Sequence, residues 1–223
     1  MHEQTVLVLT GGGAARAPVG RFGYVIAADS GLALAPQLGY DVDLVVGDLD
    51  SVDPADLDAA VAAGALVERH DADKDRTDLE LALEAARTRG AQRVHVVGGA
   101  GGRLDHVLAN ALCLASATWA GMEVSATFGS AGVWVVHAAA ELSGRPGDFV
   151  SLMPIGGPAH GVRTEGLRWQ LAGETLHPAS GRGVSNELTA ETAVVTLESG
   201  ALLVVLPGRE QATVSTDDGG THT

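Results

Sequence analysis

The sequence is poor in cysteine, lysine and aromatic residues: Cys113 and Lys74 stand alone among 223 positions, and Phe, Trp and Tyr together make up 4%. One cysteine forms no internal disulfide, so covalent cross-links are excluded as a source of stability and a reducing cytoplasm is the expected setting. No apolar run approaches the length of about 20 residues that crosses a bilayer as a helix. The opening Met1–Gln4 carries His2 and Glu3 in place of a basic segment, so no secretory signal is expected. Positive charge is scarce as well, with 14 Lys and Arg against 28 Asp and Glu and a formal net charge of −14. Nucleic acids and anionic membranes present phosphates that such a surface repels, and neither is expected as a partner. No internal repeat is found.

A hydrophobic content of 46% over this length is enough for a large core. The first half alternates short apolar runs with helical patterns. Val6–Leu9, Tyr24–Ala28, Leu44–Val46, Ala65–Glu68 and Arg93–Val97 read as strands, and a helix opens at Pro54. Thr77 followed by Glu80 is a capping box for a helix that turns Leu79, Ala82, Leu83 and Ala86 inward. A further helix is expected over Leu104–Ala117, with Val107, Leu108, Ala111 and Leu112 inward and Cys113 in the core. This alternation predicts a mostly parallel sheet flanked by helices, an α/β domain over residues 1–130.

Beyond Phe128 the helical stripe is lost. Trp134–Val136, Phe149–Met153, Leu167–Leu171, Val194–Leu197 and Ala201–Leu206 are strand candidates punctuated by Gly and Pro, which predicts an antiparallel β-sandwich or barrel over 131–215. Residues 216–223 are expected to form a flexible tail, with fraying from about Thr213.

Ligands of parallel sheets bind beyond the carboxyl ends of the strands, and the polar residues of the first half collect there: Asp29, Asp48 with Asp50, Lys74–Asp78, and Gly98–His106. Asp48 and Asp50 are two apart, so on extended backbone both carboxylates point one way. Facing carboxylates repel unless a cation lies between them, and a hard ion such as Mg2+ suits their oxygens and also bridges phosphates. A solvated Asp-rich turn is the alternative. Asp78 is placed to complete a three-carboxylate set, although an acidic residue at a helix start also serves as a simple dipole complement. The N–H groups of the loop Gly98–Gly102, with the N-terminus of the helix it leads into, are expected to cradle a phosphate, Arg103 adding a guanidinium. Gly11–Gly13 are expected to shape the turn after the first strand, beside the nucleotide. His70, His95, His137, His160 and His177 show no metal-ligand spacing.

Three ordered segments, Gly47-Asp48-Leu49-Asp50-Ser51, Lys74-Asp75-Arg76-Thr77-Asp78 and Gly101-Gly102-Arg103-Leu104-Asp105-His106 with Asn110, resemble the signatures of thiamine pyrophosphokinases. Gly166–Leu171 and Gly183–Glu187 resemble the thiamine-side segments of the same family, so the likeness runs from Asp29 to about Val205. Gln170 departs from the proline found in many relatives. The resemblance implies an α/β domain followed by a β-sandwich, and a homodimer with its active site between subunits. It implies Asp48, Asp50 and Asp78 as Mg2+ ligands, with Lys74, Thr77, Arg103, Asp105 and Asn110 around ATP; Asp29, Ser51 and His106 are expected near the nucleotide too. Trp169 would stack on thiamine, whose thiazolium is a permanent cation attracted to an indole face, and Ser185 and Asn186 would hydrogen-bond its pyrimidine. A core tryptophan is the alternative for Trp169.

The implied reaction is attack of the thiamine hydroxyl on the β-phosphorus of ATP, releasing AMP. Asp48 or Asp75 would accept the hydroxyl proton, and Arg103 would stabilise phosphoryl oxygens. Transfer to another alcohol of pterin type, and nucleotide sensing without turnover, are the competing readings.

Overall fold

The apolar runs between the turn residues of the first half become strands with almost no solvent contact. In the computed structural model, which describes residues 5–13, 15–18, 20–73, 75–208 and 213–217, the chain divides into two units, Met1–Gly129 and Ser130–Thr223.

The first unit contains β1 (Thr5–Thr10), β2 (Tyr24–Ala28), β3 (Leu44–Gly47), β4 (Leu66–Arg69), β5 (Arg93–Gly98) and β6 (Glu123–Phe128). They lie side by side in the order β6-β5-β1-β2-β3-β4, and every pairing is parallel. Val6 to Leu9 of β1 are fully buried, as the central strand of a sheet covered on both faces requires. β4, last on its side, is exposed along its whole length. The chain builds outward from β1 to β4, then returns to the other side of β1 as β5. The strand order therefore reverses between β1 and β5, the place at the carboxyl edge where sheets of this kind bind ligands.

Among the described residues four α-helices accompany the sheet: α1 (Ala35–Leu38), α2 (Pro54–Ala62), α3 (Asp78–Thr88) and α4 (Leu104–Leu114). A 3-10 helix over Asp29–Leu34 precedes α1. Asp53 caps α2, accepting from the Ala55 N–H at 2.8 Å, with Pro54 in the first turn. The capping box of α3 is complete: Thr77 Oγ1 accepts from the Glu80 N–H at 3.3 Å and Glu80 Oε2 accepts from the Thr77 N–H at 2.8 Å. Leu79, Ala82, Leu83 and Ala86 are buried as their spacing predicts, joined by Leu81 and Ala85.

α4 departs from expectation. It ends at Leu114, and Leu108 and Leu112 are 55% and 61% exposed, as is Leu104 at 71%. Of the expected inward residues Val107 and Ala111 are half-buried, while Leu108 and Leu112 face solvent; Leu114 is the helix's one buried residue among those described. Cys113 is half-buried, and burial with the nearby Glu80 carboxylate pushes its thiol up to about 12.

The second unit is antiparallel. One sheet has the order β12-β9-β14-β7, from β7 (Ala131–Val136), β9 (Phe149–Pro154), β12 (Asn186–Glu187) and β14 (Leu202–Leu206). The other has the order β11-β10-β13-β8-β15, from β8 (Ala139–Ser143), β10 (Ala159–Glu165), β11 (Ala172–Leu176), β13 (Thr192–Thr196) and β15 (Thr213–Asp217). Both sheets supply one core, including Val136, Leu142, Leu152, Val162, Leu176 and Val204, which makes the unit a β-sandwich.

The fold of the second unit departs from expectation at two places. Leu167–Leu171 is not a strand: Gly166 takes a left-handed φ of 74°, and only Leu167 bridges to Leu188. The expected fraying from Thr213 is replaced by β15, which pairs with β8 over Thr213–Asp217. Among the described residues no helix is long and apolar enough to cross a membrane.

Candidate active site

The carboxyl edge of the parallel sheet holds a cleft of about 420 Å3 within the first unit. Its walls come from the ends of β1 (Thr10, Gly11, Gly12), β2 (Asp29, Ser30) and β3 (Asp48, Asp50, Ser51), from the start of α3 (Thr77, Asp78) and from the loop into α4 (Gly99, Gly101, Arg103, His106, Asn110).

The aspartate pair is arranged differently from the extended geometry its spacing suggests. Leu49 between them has a φ of 64° and is buried, so the backbone turns where an alternating strand was expected. The Asp50 N–H donates to Asp48 Oδ1 at 3.2 Å, and Ser51 Oγ donates to Asp50 Oδ1 at 2.9 Å. This Asx-type turn, with Leu49 anchored in the core, is what brings the carboxylates together. Oxygens from Asp48, Asp50 and Asp29 lie within 4.8 Å of one another.

Asp29 is the residue whose position the spacing did not convey. It sits at the end of β2 with a φ of 46°, is 8% exposed, and its Oδ1 has no hydrogen-bond partner among the described residues. Burial raises its pKa above the usual carboxylate range; Asp78, Asp48 and Asp50 push the same way, against a lowering hydrogen bond from the Ser30 amide. A buried, unpartnered carboxylate oxygen beside other acids is costly in isolation and suited to a hard divalent cation. The donor set therefore fits Mg2+. Asp78 stands beside this group: a Cβ at Gly47 would come within 3.1 Å of both Asp78 Oδ1 and Asp29 Cβ. Gly47, with its φ of 146°, lets the three acidic segments converge.

The glycine loop is organised by its partner loop. The N–H groups of Gly99, Ala100 and Gly101 donate to the carbonyls of Gly11 and Gly12 at 3.0, 3.1 and 2.9 Å. Those amides are thus engaged with the β1 loop, which corrects the expectation that they face a phosphate. A Cβ at Gly101 would lie 2.5 Å from Gly13 Cα, so both runs of glycine are needed for the two backbones to interlock. What remains for an anion is the N-terminus of α4, which has no side-chain cap, and Arg103. Arg103 is paired with Asp105 at 2.5 Å, and this contact holds the Asp105 carboxyl below its usual range. Asn110 Nδ2 donates to the Gly99 carbonyl at 3.4 Å. Thr10 and Ser30 also line the cleft and were not singled out in the sequence; both follow from the rule that strand ends form the rim. Asp75 is exposed, and Lys74 lies outside the described residues.

In the second unit Trp169 is 47% exposed, which sets aside the reading as a core residue. Arg168 lies over its ring with Cζ 4.8 Å from the centroid. Ser185 has a φ of 56°, and its N–H donates to Ser151 Oγ at 3.1 Å. Asn186 is 2% exposed, and its amide faces the backbone of Trp169.

Comparison with known proteins places these features in a family. A model described as the thiamin pyrophosphokinase catalytic domain matches residues 19–125, and one described as the thiamin pyrophosphokinase vitamin B1 binding domain matches 139–202. The sequence is 24% identical over 177 residues to thiamine pyrophosphokinase 1 of Oryza sativa subsp. japonica, covering 73% of this chain and 65% of that protein's length. The fold is similar to the thiamine pyrophosphokinase of Bacillus subtilis, with a TM-score of 0.79 and 20% identity over 92% of this chain and 100% of the other. It is also similar to a thiamin pyrophosphokinase family protein of Enterococcus faecalis, with a TM-score of 0.77 and 22% identity over 92% and 99% of the two chains. With both family domains matched in order and the four aspartates of the cleft, Asp29, Asp48, Asp50 and Asp78, inside the first of them, the chain belongs to the thiamine pyrophosphokinase family.

Proposed function

We infer that this protein transfers diphosphate from ATP to the hydroxyl of thiamine, giving thiamine diphosphate and AMP. The observation that carries this reading is the carboxylate group at the sheet edge, with the unpartnered buried oxygen of Asp29 at its centre, in a chain that also matches a vitamin B1 binding domain. Asp48 and Asp50, with Asp29 and Asp78 beside them, would hold Mg2+. The ion, when bound, supplies charge neutralisation for the polyphosphate.

The chain's own residues do the remaining work. Arg103 and the uncapped N-terminus of α4 take phosphoryl oxygens, and Asp105 fixes the Arg103 fork. Thr77, Ser51, His106 and Asn110 border the nucleotide, and Lys74 belongs to the same segment. The hydroxyl oxygen of thiamine forms its bond to the β-phosphorus as the bond from that phosphorus to the α-phosphate bridging oxygen breaks. The proton goes to a carboxylate, Asp48 or Asp75, and AMP leaves. Positioning and electrostatics supply most of the acceleration, with no covalent intermediate on the protein. Trp169 presents an exposed indole to the thiazolium cation, with Ser185 beside the pyrimidine.

The working unit in this reading is a cytoplasmic homodimer whose sites combine the α/β domain of one subunit with the β-domain of its partner. Asp50→Asn tests the metal site. Turnover is expected to fall by about 100-fold or more with the fold intact; near wild-type turnover at saturating Mg2+ would refute the assignment.

A further inference from the structure

Trp169 lies in an irregular segment, yet its backbone is fixed at both polar groups by one side chain. The Trp169 N–H donates to Asn186 Oδ1 at 3.1 Å, and Asn186 Nδ2 donates to the Trp169 carbonyl at 2.8 Å. Asn186 Oδ1 also accepts from the Glu187 N–H at 2.9 Å. A side chain that is 2% exposed and has donor and acceptor both engaged by protein is held in one orientation and has little left to offer a ligand.

The next residues complete the device. The Arg168 N–H donates to the Glu187 carbonyl at 2.9 Å, and Arg168 Nη1 pairs with Glu187 Oε2 at 2.8 Å. So tethered, the guanidinium covers one face of the Trp169 ring at 4.8 Å. An indole has two faces, and the guanidinium occupies one. A bare guanidinium there would also oppose a second cation on the other face; the Glu187 carboxylate offsets that charge.

We propose that Asn186 and Arg168 are positioning residues for the acceptor: Asn186 clamps the main chain of Trp169, and Arg168, held by Glu187, covers one indole face so that the cationic ring of the substrate uses the other. Asn186 thus acts through Trp169, whereas the family resemblance would have it touch the pyrimidine. The proposal rests on the reading of Trp169 as the thiamine-stacking residue.

The test is steady-state kinetics of the full-length enzyme with Mg2+, varying thiamine and ATP separately, for wild type, Trp169→Ala, Asn186→Ala and Arg168→Gln, each checked by a thermal melt. Asn186→Ala is expected to raise the KM for thiamine about tenfold and Arg168→Gln about threefold, with the KM for ATP and kcat nearly unchanged. Should Asn186→Ala fail to fold, the exposed Arg168→Gln decides by the same comparison. A raised thiamine KM in Trp169→Ala with wild-type values in the positioning variants overturns the clamp alone. An unchanged thiamine KM in Trp169→Ala overturns the stacking reading and the clamp's role together. A parallel rise in the KM for ATP would mark general loosening and also overturn the proposal.

Discussion

Asp29 concentrates the tension of the cleft in one side chain, being buried, left-handed in φ and raised in pKa by burial and by its acidic neighbours. Without metal this arrangement destabilises the fold, because a buried charge with an unpartnered oxygen loses hydration that nothing replaces. Asp29→Asn should therefore stabilise the metal-free protein by roughly 1 kcal/mol and abolish any upward shift of the melting temperature on adding Mg2+. Thermal melts with and without Mg2+ check both effects; a destabilised variant that retains the Mg2+ shift would show that Asp29 is structural. The sequence made Asp48 and Asp50 legible as a pair by spacing and residue type. Asp29 was legible only as a rim residue, because its approach to the pair depends on the left-handed turn at its own φ and on the Asx turn at Leu49. Neither turn is encoded by alternation.

Among the elements, β5 and β6 carry a titrating group away from the site. His95 on β5 is flanked by Ser125 Oγ at 2.8 Å and Thr127 Oγ1 at 2.9 Å, both on β6, and stacks on Phe22. Burial lowers its pKa from 6.5 to about 4, so the fold holds the imidazole neutral. The unfolded chain takes up a proton below about 6.5, whereas the folded chain does so only near 4, so the contribution is full above pH 6.5 and is lost as pH falls towards 4. Between pH 7 and pH 4.5 the wild type should lose roughly 2–3 kcal/mol more stability than His95→Gln. Urea unfolding at the two pH values measures this, and equal losses would contradict it. At this scale α3 was readable from its capping box and stripe, while α4 was readable only as a helix. Periodicity identifies a stripe of Val107, Leu108, Ala111 and Leu112, of which Leu108 and Leu112 are exposed, but carries no information on which surface covers it. In the same way the interlock of Gly99–Gly101 with Gly11 and Gly12 joins residues far apart in sequence, so the glycines were visible and their mutual hydrogen bonds were not.

For the whole molecule, the helical texture of the sequence gives way to strands near Phe128, and strands β8, β10 and β11 were missed because polar residues and glycine break their alternation. The proposed sharing of each active site between two subunits makes a quantitative prediction. Asp50→Asn damages the α/β side and Trp169→Ala the β-domain side. Mixed heterodimers therefore carry one site with both lesions and one with neither. Equal mixing of the two variants, after subunit exchange, should restore about a quarter of wild-type activity; no recovery would place both residues on one subunit's site or indicate a monomer.

The central claim, diphosphate transfer from ATP to thiamine, is tested most directly by identifying the nucleotide product. Purified protein is incubated with ATP, Mg2+ and thiamine, with a pterin-type alcohol and no acceptor as parallel arms. The account predicts AMP and thiamine diphosphate in equal amounts, formed only with thiamine. ADP as the product, AMP formation with the pterin-type alcohol alone, or ATP binding without consumption in any arm would contradict it.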